Sequence, residues 1–413
     1  MHFNVVVSIL VICFFTRIAA VDPHEISSCS KEDIIKSYFL ANLSYSEILH
    51  MLAMHHGIVI TLRHLHRLLR KYGLSRRTNK SSVNNVIAFI KKAVEGSSSC
   101  FGYRFMLRKL RSNGFVVDAE SVRLIIKQLD PKGVEERSRN RLRRRKYKCP
   151  GPNYLWHIDG YDKLKPFGFA IHGGIDGFSR KVLWLAVGSS NNDPSIVATY
   201  FVECIKSMTL VPRVVRADRG SENVNIGGIQ RFFRRNQTDR QSGNNSFRFG
   251  TSTSNQRIES WWSQLRKSRM NWWINYFKDM RDSYLFDGSI LYHVECLRFC
   301  YIGLIQTELD ETRALWNNHR IRQTRNAECP GGRPDMIYFS PTLYGGTDGA
   351  YSVTSSDISL AKFYCKESPT FGCRDEFLQL ALILMNENGL QMPTDYVTAR
   401  NLYEFLIREI DSL

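Results

Sequence analysis

The sequence lacks the signals of several common protein classes. Its ten cysteines include no CxxC pair and no regular spacing, so a zinc ribbon and a disulfide framework are excluded and reduced thiols are expected. The apolar run at residues 5–15 is too short to cross a bilayer as a helix, which needs roughly 20 residues. Acidic residues are outnumbered, 39 against 57 Lys and Arg, which leaves a net charge of +18.

The positive charge is concentrated toward the N-terminus. Residues 1–150 carry 27 Lys and Arg against 11 Asp and Glu, and residues 151–340 carry 25 against 18. Residues 341–413 reverse the balance, with 5 against 10. This asymmetry favours a nucleic-acid partner that meets the N-terminal part first, although a generally basic soluble protein has the same composition.

Residues 1–20 have two interpretations. The apolar run at 5–15, followed by the small residues Ala19 and Ala20, has the length and order of a secretory signal peptide. No Lys or Arg precedes the run, which weakens that interpretation. An alternative start, a mis-assigned first exon or a buried helix stays open beside it.

The segment 31–78 predicts a helix-turn-helix-like module. Its apolar residues recur at helical spacing in three short segments. Ser44, with Glu47 three residues later, is an N-cap candidate, and Gly57 separates the second segment from the third. The third helix would present a basic face suited to the major groove, with Arg63, Arg67, Arg70 and Lys71 outermost. A solvated basic face on a helical bundle is the alternative.

A second helical module is predicted at 83–130, with Gly102 and Gly114 between its segments. A basic linker, 132–152, follows and contains RNRLRRRKYK. This block is too charged to pack, so it either tracks DNA phosphates or directs nuclear import, and the two uses are compatible. The residues concerned are Arg143, Arg144 and Arg145.

Residues 154–217 predict an α/β sheet. Tyr154–Asp159, Phe169–Ile175 and Lys181–Val187 have strand patterns, Pro194–Met208 has a helical pattern, and Val211–Ala217 is an apolar strand. This order of elements describes a ribonuclease H-like sheet, in which the first and fourth strands are neighbours.

Three acidic residues stand out against these elements. Asp159 ends the first strand, Asp218 follows the fourth, and Glu259 lies beside the apolar face of a helix predicted at 255–267. Carboxylates in this arrangement are what a two-metal phosphodiester site requires. Asp176, in the sequence DGFSR, is interpreted instead as a turn former.

The motifs WHIDG, IDGFSRKVLWL, ADRGSEN and NQRIESWW together resemble the catalytic core of the retroviral integrase and DDE transposase superfamily. FGYRFMLRKLRSNGF looks like the helical segment that precedes this core in bacterial insertion-sequence transposases, and WNNHRIRQTRNAECPGG is similar to the basic segment that closes it. The layout is closest to those bacterial transposases. The zinc-binding HHCC module of retroviral integrases is missing, so zinc is not implied.

The resemblance implies a fold, an activity and partners. Residues 153–340 would form a mixed five-stranded, ribonuclease H-like sheet flanked by helices. Asp159, Asp218 and Glu259 would bind two Mg²⁺ or Mn²⁺ ions and catalyse DNA cleavage and strand transfer. No protein nucleophile is needed. We expect DNA as the partner, a homo-oligomer on DNA ends, no membrane association and a nuclear location.

Further residues are expected to assist this site. His157 shares a strand face with Asp159, and Glu222 follows Asp218 in DRGSEN, so both are candidates for orienting the metal ligands. For His157, a packed or surface histidine without such a role is the alternative. Positive charge on or near the Glu259 helix would contact phosphates through Arg257, Arg266 and Lys267.

The acidic segment 341–413 predicts a helical tail that packs on the core or binds a partner. Three hypotheses about the whole chain stay open. It is an active transposase or integrase, a host-retained DNA-binding derivative with weak or no strand transfer, or a secreted interaction protein. The complete acidic triad favours the first over the second, and only residues 1–20 support the third.

Overall fold

The computed structural model describes residues 30–41, 43–75, 81–138, 147–251, 255–323 and 329–412. The chain forms two compact units. The first consists of Met1–Lys146, Lys267–Arg269 and Ala314–Tyr344, and the second of Tyr147–Arg266, Met270–Arg313 and Gly345–Leu413. Residues 1–20 and the linker arginines Arg143, Arg144 and Arg145 lie outside the described residues. The predicted domain boundaries stay predictions.

The first unit begins with three helices, as the sequence pattern predicts: α1 (Lys31–Leu40), α2 (Tyr45–His56) and α3 (Leu62–Lys71). Ser44 and Glu47 form a capping box at the start of α2. Gly57 ends that helix in the left-handed region, with a φ of 63° that glycine adopts without strain. The helices share a core whose members include Ile35, Tyr38, Ile48, Leu52, Leu65 and Leu69.

Four more helices follow in this unit: α4 (Val83–Glu95), α5 (Tyr103–Ser112), α6 (Ala119–Leu129) and α7 (Pro131–Ser138). The Asp118 side chain accepts a hydrogen bond from the backbone N–H of Ser121 and so caps α6. A second apolar cluster joins these helices through Val86, Ile90, Met106, Leu110, Val122 and Ile126. The predicted N-terminal helical region is therefore confirmed.

The second unit contains the mixed five-stranded sheet of a ribonuclease H-like fold and a separate pair of short strands. The strands are β1 (Leu155–Tyr161), β2 (Ala170–Asp176), β3 (Val182–Gly188), β4 (Leu210–Val211), β5 (Val214–Ala217), β6 (Phe247–Phe249) and β7 (Tyr351–Ser352). The order in the large sheet is β3-β2-β1-β5-β6. β1, β2 and β3 are antiparallel neighbours, whereas β5 and β6 run parallel to β1. The short strands β4 and β7 form the antiparallel pair.

Two strand predictions were wrong in detail. The strand predicted at 211–217 is divided at Pro212, which has no N–H for a ladder, so β4 pairs with β7 and β5 pairs with β1. The first strand does not end at Asp159. It continues to Tyr161, because Gly160 pairs with His172 of β2 instead of ending the ladder.

The helices that follow β3 include an acidic helical tail, as predicted. Trp273 is 1% exposed and packs against Phe277 and Tyr301, so it belongs to the core of the second unit. No helix in the described parts of the chain is long and apolar enough to cross a membrane. The helices are α8 (Pro194–Met208), α9 (Val224–Phe233), α10 (Gln256–Leu265), α11 (Asn271–Asp282), α12 (Leu291–Asn317), α13 (Pro334–Phe339), α14 (Ser355–Ala361), α15 (Asp375–Glu387) and α16 (Tyr396–Asp411).

Asp176 organises the turn between β2 and β3, in agreement with its interpretation as a turn former. Its fully buried carboxylate accepts hydrogen bonds from the backbone N–H groups of Asn153, Phe178 and Ser179, and from the Ser179 hydroxyl. Burial raises the pKa of this carboxyl to about 6. The turn therefore depends on one side chain that satisfies four donors.

Replacing Asp176 should destabilise the sheet without any contribution from catalysis. Asp176→Ala leaves buried donors unsatisfied, so we expect a loss of about 2–4 kcal/mol in the free energy of unfolding. Urea denaturation followed by circular dichroism measures this loss. Asp279→Ala, at an exposed position on α11, is the matched control and should change stability by less than about 0.5 kcal/mol. Equal stability of the two variants would contradict the role of the turn.

Candidate active site

The register of the parallel strands brings two of the predicted carboxylates together. In the pairing of β1 with β5, His157 is opposite Arg216. Asp159 and Asp218 each lie two residues beyond that pair, so the two side chains occupy neighbouring positions on the same face. Asp159 is 9% exposed, and Asp218 is half-buried where the chain leaves β5.

A tryptophan from α10 is hydrogen-bonded to the first carboxylate. Trp262 Nε1 donates to Asp159 Oδ2 at 3.0 Å. The indole reaches this position because Asp159 is opposite Gly173 on β2, and a Cβ at Gly173 would lie 2.8 Å from Trp262 Cη2. The glycine therefore provides the space in which α10 packs against the sheet.

A second contact holds the beginning of α10 against β1. Asn255 precedes the helix and donates from Nδ2 to the Ile158 carbonyl at 2.9 Å. Its Oδ1 lies 2.7 Å from His157 Nδ1, and His157 Nε2 lies 2.8 Å from the Tyr147 hydroxyl. Because the Asn255 oxygen can only accept, His157 donates from Nδ1 and accepts at Nε2.

His157 is therefore a positioning residue. Burial lowers its pKa to about 3, so the ring is neutral at physiological pH and does not act as a cationic group. Its hydrogen bond from Nδ1 holds Asn255 and thereby the start of the helix that carries Glu259, while the hydrogen bond at Nε2 holds the ring to Tyr147. His157 thus lies near the site, and its hydrogen bonds are made with Asn255 and Tyr147 and not with the carboxylates.

The loop after β5 orients Asp218. The backbone N–H of Gly220 and the Nδ2 of the buried Asn223 donate to Asp218 Oδ1, at 3.3 and 3.4 Å. Asn223 Nδ2 also donates to Glu222 Oε1 at 3.1 Å. Glu222 therefore shares a donor with Asp218, and its carboxylate lies back over Gly220, where a Cβ would meet it.

The carboxylates interact electrostatically. Burial, together with the charges of Asp218 and Glu259 and partly offset by the hydrogen bond from Trp262, raises the pKa of Asp159 to about 7. The pKa of Glu259, which is half-buried on α10, is raised by burial and then by Asp218. Glu222 is also shifted upward, by burial and by Asp218. Like charges are therefore concentrated in one partly desolvated site.

The comparison with known families agrees with this geometry. Residues 146–343 match the family described as the integrase core domain. Residues 146–343 therefore form an integrase core domain, and this match supports the retroviral integrase and DDE transposase superfamily. No curated protein matches the sequence significantly. The integrase core indicates a function of the polynucleotidyl transferase type, and such a domain is suited to binding DNA.

Integrase cores typically use divalent metal ions, and the donor chemistry of this site fits them. Asp159, Asp218 and Glu259 offer hard oxygen atoms, and a cation would relieve the repulsion that raises two of their pKa values. The side chains as they stand do not form a closed ligand set. Within the described ranges, no group of three or more His, Cys, Asp or Glu residues is spaced to hold a metal ion.

The basic residues predicted beside the integrase core have different environments. Arg257 places its guanidinium over the Tyr147 ring, 4.1 Å from the centroid. Arg266 is exposed and donates from Nε to Asn271 Oδ1 at 3.1 Å, and Lys267 is also exposed. Arg266 and Lys267 therefore have the accessibility that a phosphate contact requires.

Three residues of the site were missed by sequence reasoning. Asn255 and Asn223 gave no signal, because a single asparagine beside a helix is common and its partners are distant in sequence. Trp262 belongs to the apolar face of the helix predicted at 255–267, and no contact with a carboxylate was expected of it. Its indole N–H was the available signal, since a buried tryptophan normally finds an acceptor.

The integrase core should become more stable at high pH when Asp159 is neutralised. The folded pKa of about 7 lies above the ordinary value of 3.8. The stability associated with the protonated carboxyl is therefore fully present below about pH 4 and is lost as the pH rises through 7. In metal-free buffer, Asp159→Asn should be more stable than wild type by roughly 2–4 kcal/mol at pH 8 and nearly equal to it at pH 4.

Urea denaturation in the presence of a chelator at the two pH values measures this difference. Asp279→Asn, which removes an exposed carboxylate, should show no such pH dependence. A stabilisation of the Asp159→Asn variant that is the same at pH 4 and pH 8 would rule out a raised pKa as its cause.

Proposed function

We propose that this chain is a DDE-type polynucleotidyl transferase that cleaves DNA and joins its 3′ ends to target DNA. The observation that carries the proposal is the β1–β5 register, which sets Asp159 beside Asp218 on the sheet. The docked helix α10 adds Glu259, whose pKa responds to Asp218. These carboxylates, within an integrase core, favour phosphodiester chemistry over a role in binding alone.

Asp159, Asp218 and Glu259 are proposed to hold two Mg²⁺ or Mn²⁺ ions. When bound, such ions activate the attacking oxygen and stabilise the leaving oxygen of a phosphodiester. The protein contributes orientation. Trp262 fixes one oxygen of Asp159, and Asn223 with the Gly220 N–H fixes Asp218. His157 and Asn255 hold the helix that presents Glu259.

The catalytic proposal is tested by an assay of strand cleavage and joining with Mg²⁺ or Mn²⁺. The substrate is DNA that carries the terminal sequences of the mobile element that a transposase of this kind would move. Asp159→Asn, Asp218→Asn and Glu259→Gln should each lower the rate at least about 100-fold, which corresponds to about 3 kcal/mol of lost transition-state stabilisation. Glu222→Gln should retain measurable activity, because this residue is proposed to orient the site. Product formation is measured on sequencing gels.

The exposed Asp279→Asn is the matched control for charge and should react at the wild-type rate. The proposal fails if wild type and the three carboxylate variants are equally active, or equally inert, under conditions in which they bind DNA. Binding without cleavage or joining would identify the alternative, a DNA-binding derivative that has lost strand transfer.

The N-terminal helices are proposed to recognise DNA. On α3, Leu65 and Leu69 are buried, whereas the basic residues on the other side are exposed. The exposed residues are Arg63, Arg67, Arg70 and Lys71. This distribution supports a helix-turn-helix-like role, in which α3 would lie in the major groove. A DNA substrate also leads us to propose a homo-oligomer on DNA ends and a nuclear location.

Reversing the charge on α3 should weaken DNA binding. The combined change Arg63→Glu, Arg67→Glu and Arg70→Glu removes phosphate or base contacts, so affinity for duplex DNA should fall at least about 10-fold and the salt dependence of binding should flatten. Fluorescence anisotropy across a range of salt concentrations measures both effects. Unchanged affinity, with wild-type circular dichroism, would assign α3 a structural role.

A further inference from the structure

The first unit contains a cavity of about 730 Å³ whose lining is strongly basic. Residues of α5, Ala119 at the start of α6, the segment 319–323 and Gly331 form its walls. Among the described residues that line it, there is no Asp or Glu. Five arginines are present: Arg104, Arg108, Arg111, Arg320 and Arg322.

The sequence of α5 explains one wall. Arg104, Arg108 and Arg111 are spaced at i, i+4 and i+7, so they lie along one face of the helix. Met106 and Leu110, on the other side, are fully buried in the apolar cluster of this unit. Packing of the apolar side therefore fixes which residues face the cavity.

The opposite wall is an extended segment held by a backbone bridge. Ile321 and Gly332 exchange two hydrogen bonds, of 2.7 and 2.9 Å. Arg320 and Arg322 flank Ile321, and residues two apart in an extended chain project to the same side. The backbones approach closely, since a Cβ at Gly331 would lie 2.5 Å from the Gln323 nitrogen.

The positive charges in this cavity repel one another. Arg108 donates to the Asn318 carbonyl at 2.5 Å, and Arg111 donates to the Val117 carbonyl at 3.3 Å, so both use neutral acceptors. Burial and the charge of Arg333 lower the pKa of both guanidinium groups, that of Arg108 to about 9. An anionic ligand would relieve this repulsion.

The carboxylates around the cavity offset its charge only in part. Glu47 lies 3.4 Å from Arg333 and raises the pKa of Arg108, and Asp118, which caps α6, raises that of Arg111. For both guanidinium groups, burial and the charges of neighbouring arginines lower the pKa more than these carboxylates raise it. The cavity therefore remains positive with its described neighbours included.

Two aromatic side chains also line the cavity. The Arg104 guanidinium lies 5.3 Å from the centroid of the Tyr103 ring. The centroids of the His319 and Trp316 rings are 4.5 Å apart. Arginines together with aromatic planes in one concave site are typical of proteins that bind single-stranded nucleic acid. A volume of this size suits a ligand of one or two nucleotides.

We propose that this cavity binds an unpaired nucleotide at a single-stranded DNA end. The arginines would contact its phosphates, and Tyr103 or His319 would stack on its base. The inference rests on the proposed function in one respect, because that function makes DNA the ligand. It adds a binding site for single strands that is distinct from the duplex contacts proposed for α3.

The test uses the full-length chain and fluorescence anisotropy with two probes, a labelled single strand of about 12 nucleotides and a blunt duplex of the same sequence. The cavity variant combines Arg104→Gln with Arg322→Gln, two exposed positions that leave the half-buried Arg108 intact. The control variant combines Arg123→Gln with Arg281→Gln. It removes the same charge from exposed residues that pair with Glu120 and Asp282.

The cavity variant should bind the single strand at least about 10-fold more weakly, whereas the control should change by less than about threefold. Both variants should affect duplex binding equally. Equal losses of single-strand affinity in the two variants would overturn the proposal. Binding of tripolyphosphate, measured by calorimetry, tests whether the ligand is instead a small phosphorylated compound. If its binding depends on the two arginines and single-strand binding does not, the ligand is a small phosphorylated compound and the proposal is wrong.

A strand-transfer assay of the wild-type protein distinguishes a failure of the cavity proposal from a failure of the proposed catalytic function. Arginine-dependent single-strand binding without strand transfer would support the cavity and refute the proposed catalytic activity. Strand transfer by wild type, with single-strand affinity unaffected by the cavity variant, would refute the cavity alone.

Discussion

Parallel pairing between β1 and β5 is the constraint on which the candidate site depends. A shift of this register by one residue would move Asp159 away from Asp218 and exchange the sheet faces onto which the side chains of one strand project. Ile158 and Val215 are almost fully buried, so the core opposes such a shift. Hydrophobic packing therefore keeps two carboxylates together even though their charges repel. Burial, followed by the charge of Asp218, raises the pKa of Asp159.

Helix α10 supplies the third carboxylate, that of Glu259. The contacts that hold this helix against the sheet do not involve Glu259. Asn255 attaches the start of the helix to β1, and Trp262 attaches its middle across Gly173. Glu259 lies between these two attachments in sequence, so its position follows from groups that are not themselves ligands. A larger side chain at residue 173 would displace the indole, separate Trp262 from Asp159 and move Glu259 with the helix.

Local patterns in the sequence were enough to predict most of the sheet and the turn at Asp176. Alternating apolar residues specify strands, and the donors that Asp176 satisfies include Phe178 and Ser179, which are close in the chain. The contact between His157 and Asn255 joins residues 98 positions apart, and no local pattern encodes it. The pKa of Asp159 was also beyond prediction, because it depends on burial and on charges brought together by folding.

Binding of DNA phosphates requires positive charge, whereas binding of the metal ions in the proposed reaction requires negative charge. Different residues of the chain provide the two charges. A DNA phosphate near Asp159, Asp218 and Glu259 is repelled as long as no cation is bound, so these residues cannot supply the binding energy. In the proposed function, that energy would come from basic side chains, such as the exposed face of α3 and the arginines of the cavity. The net charge of +18 is therefore compatible with an acidic site. Most of the positive charge would attract DNA, and a few buried or half-buried carboxylates would serve the proposed reaction.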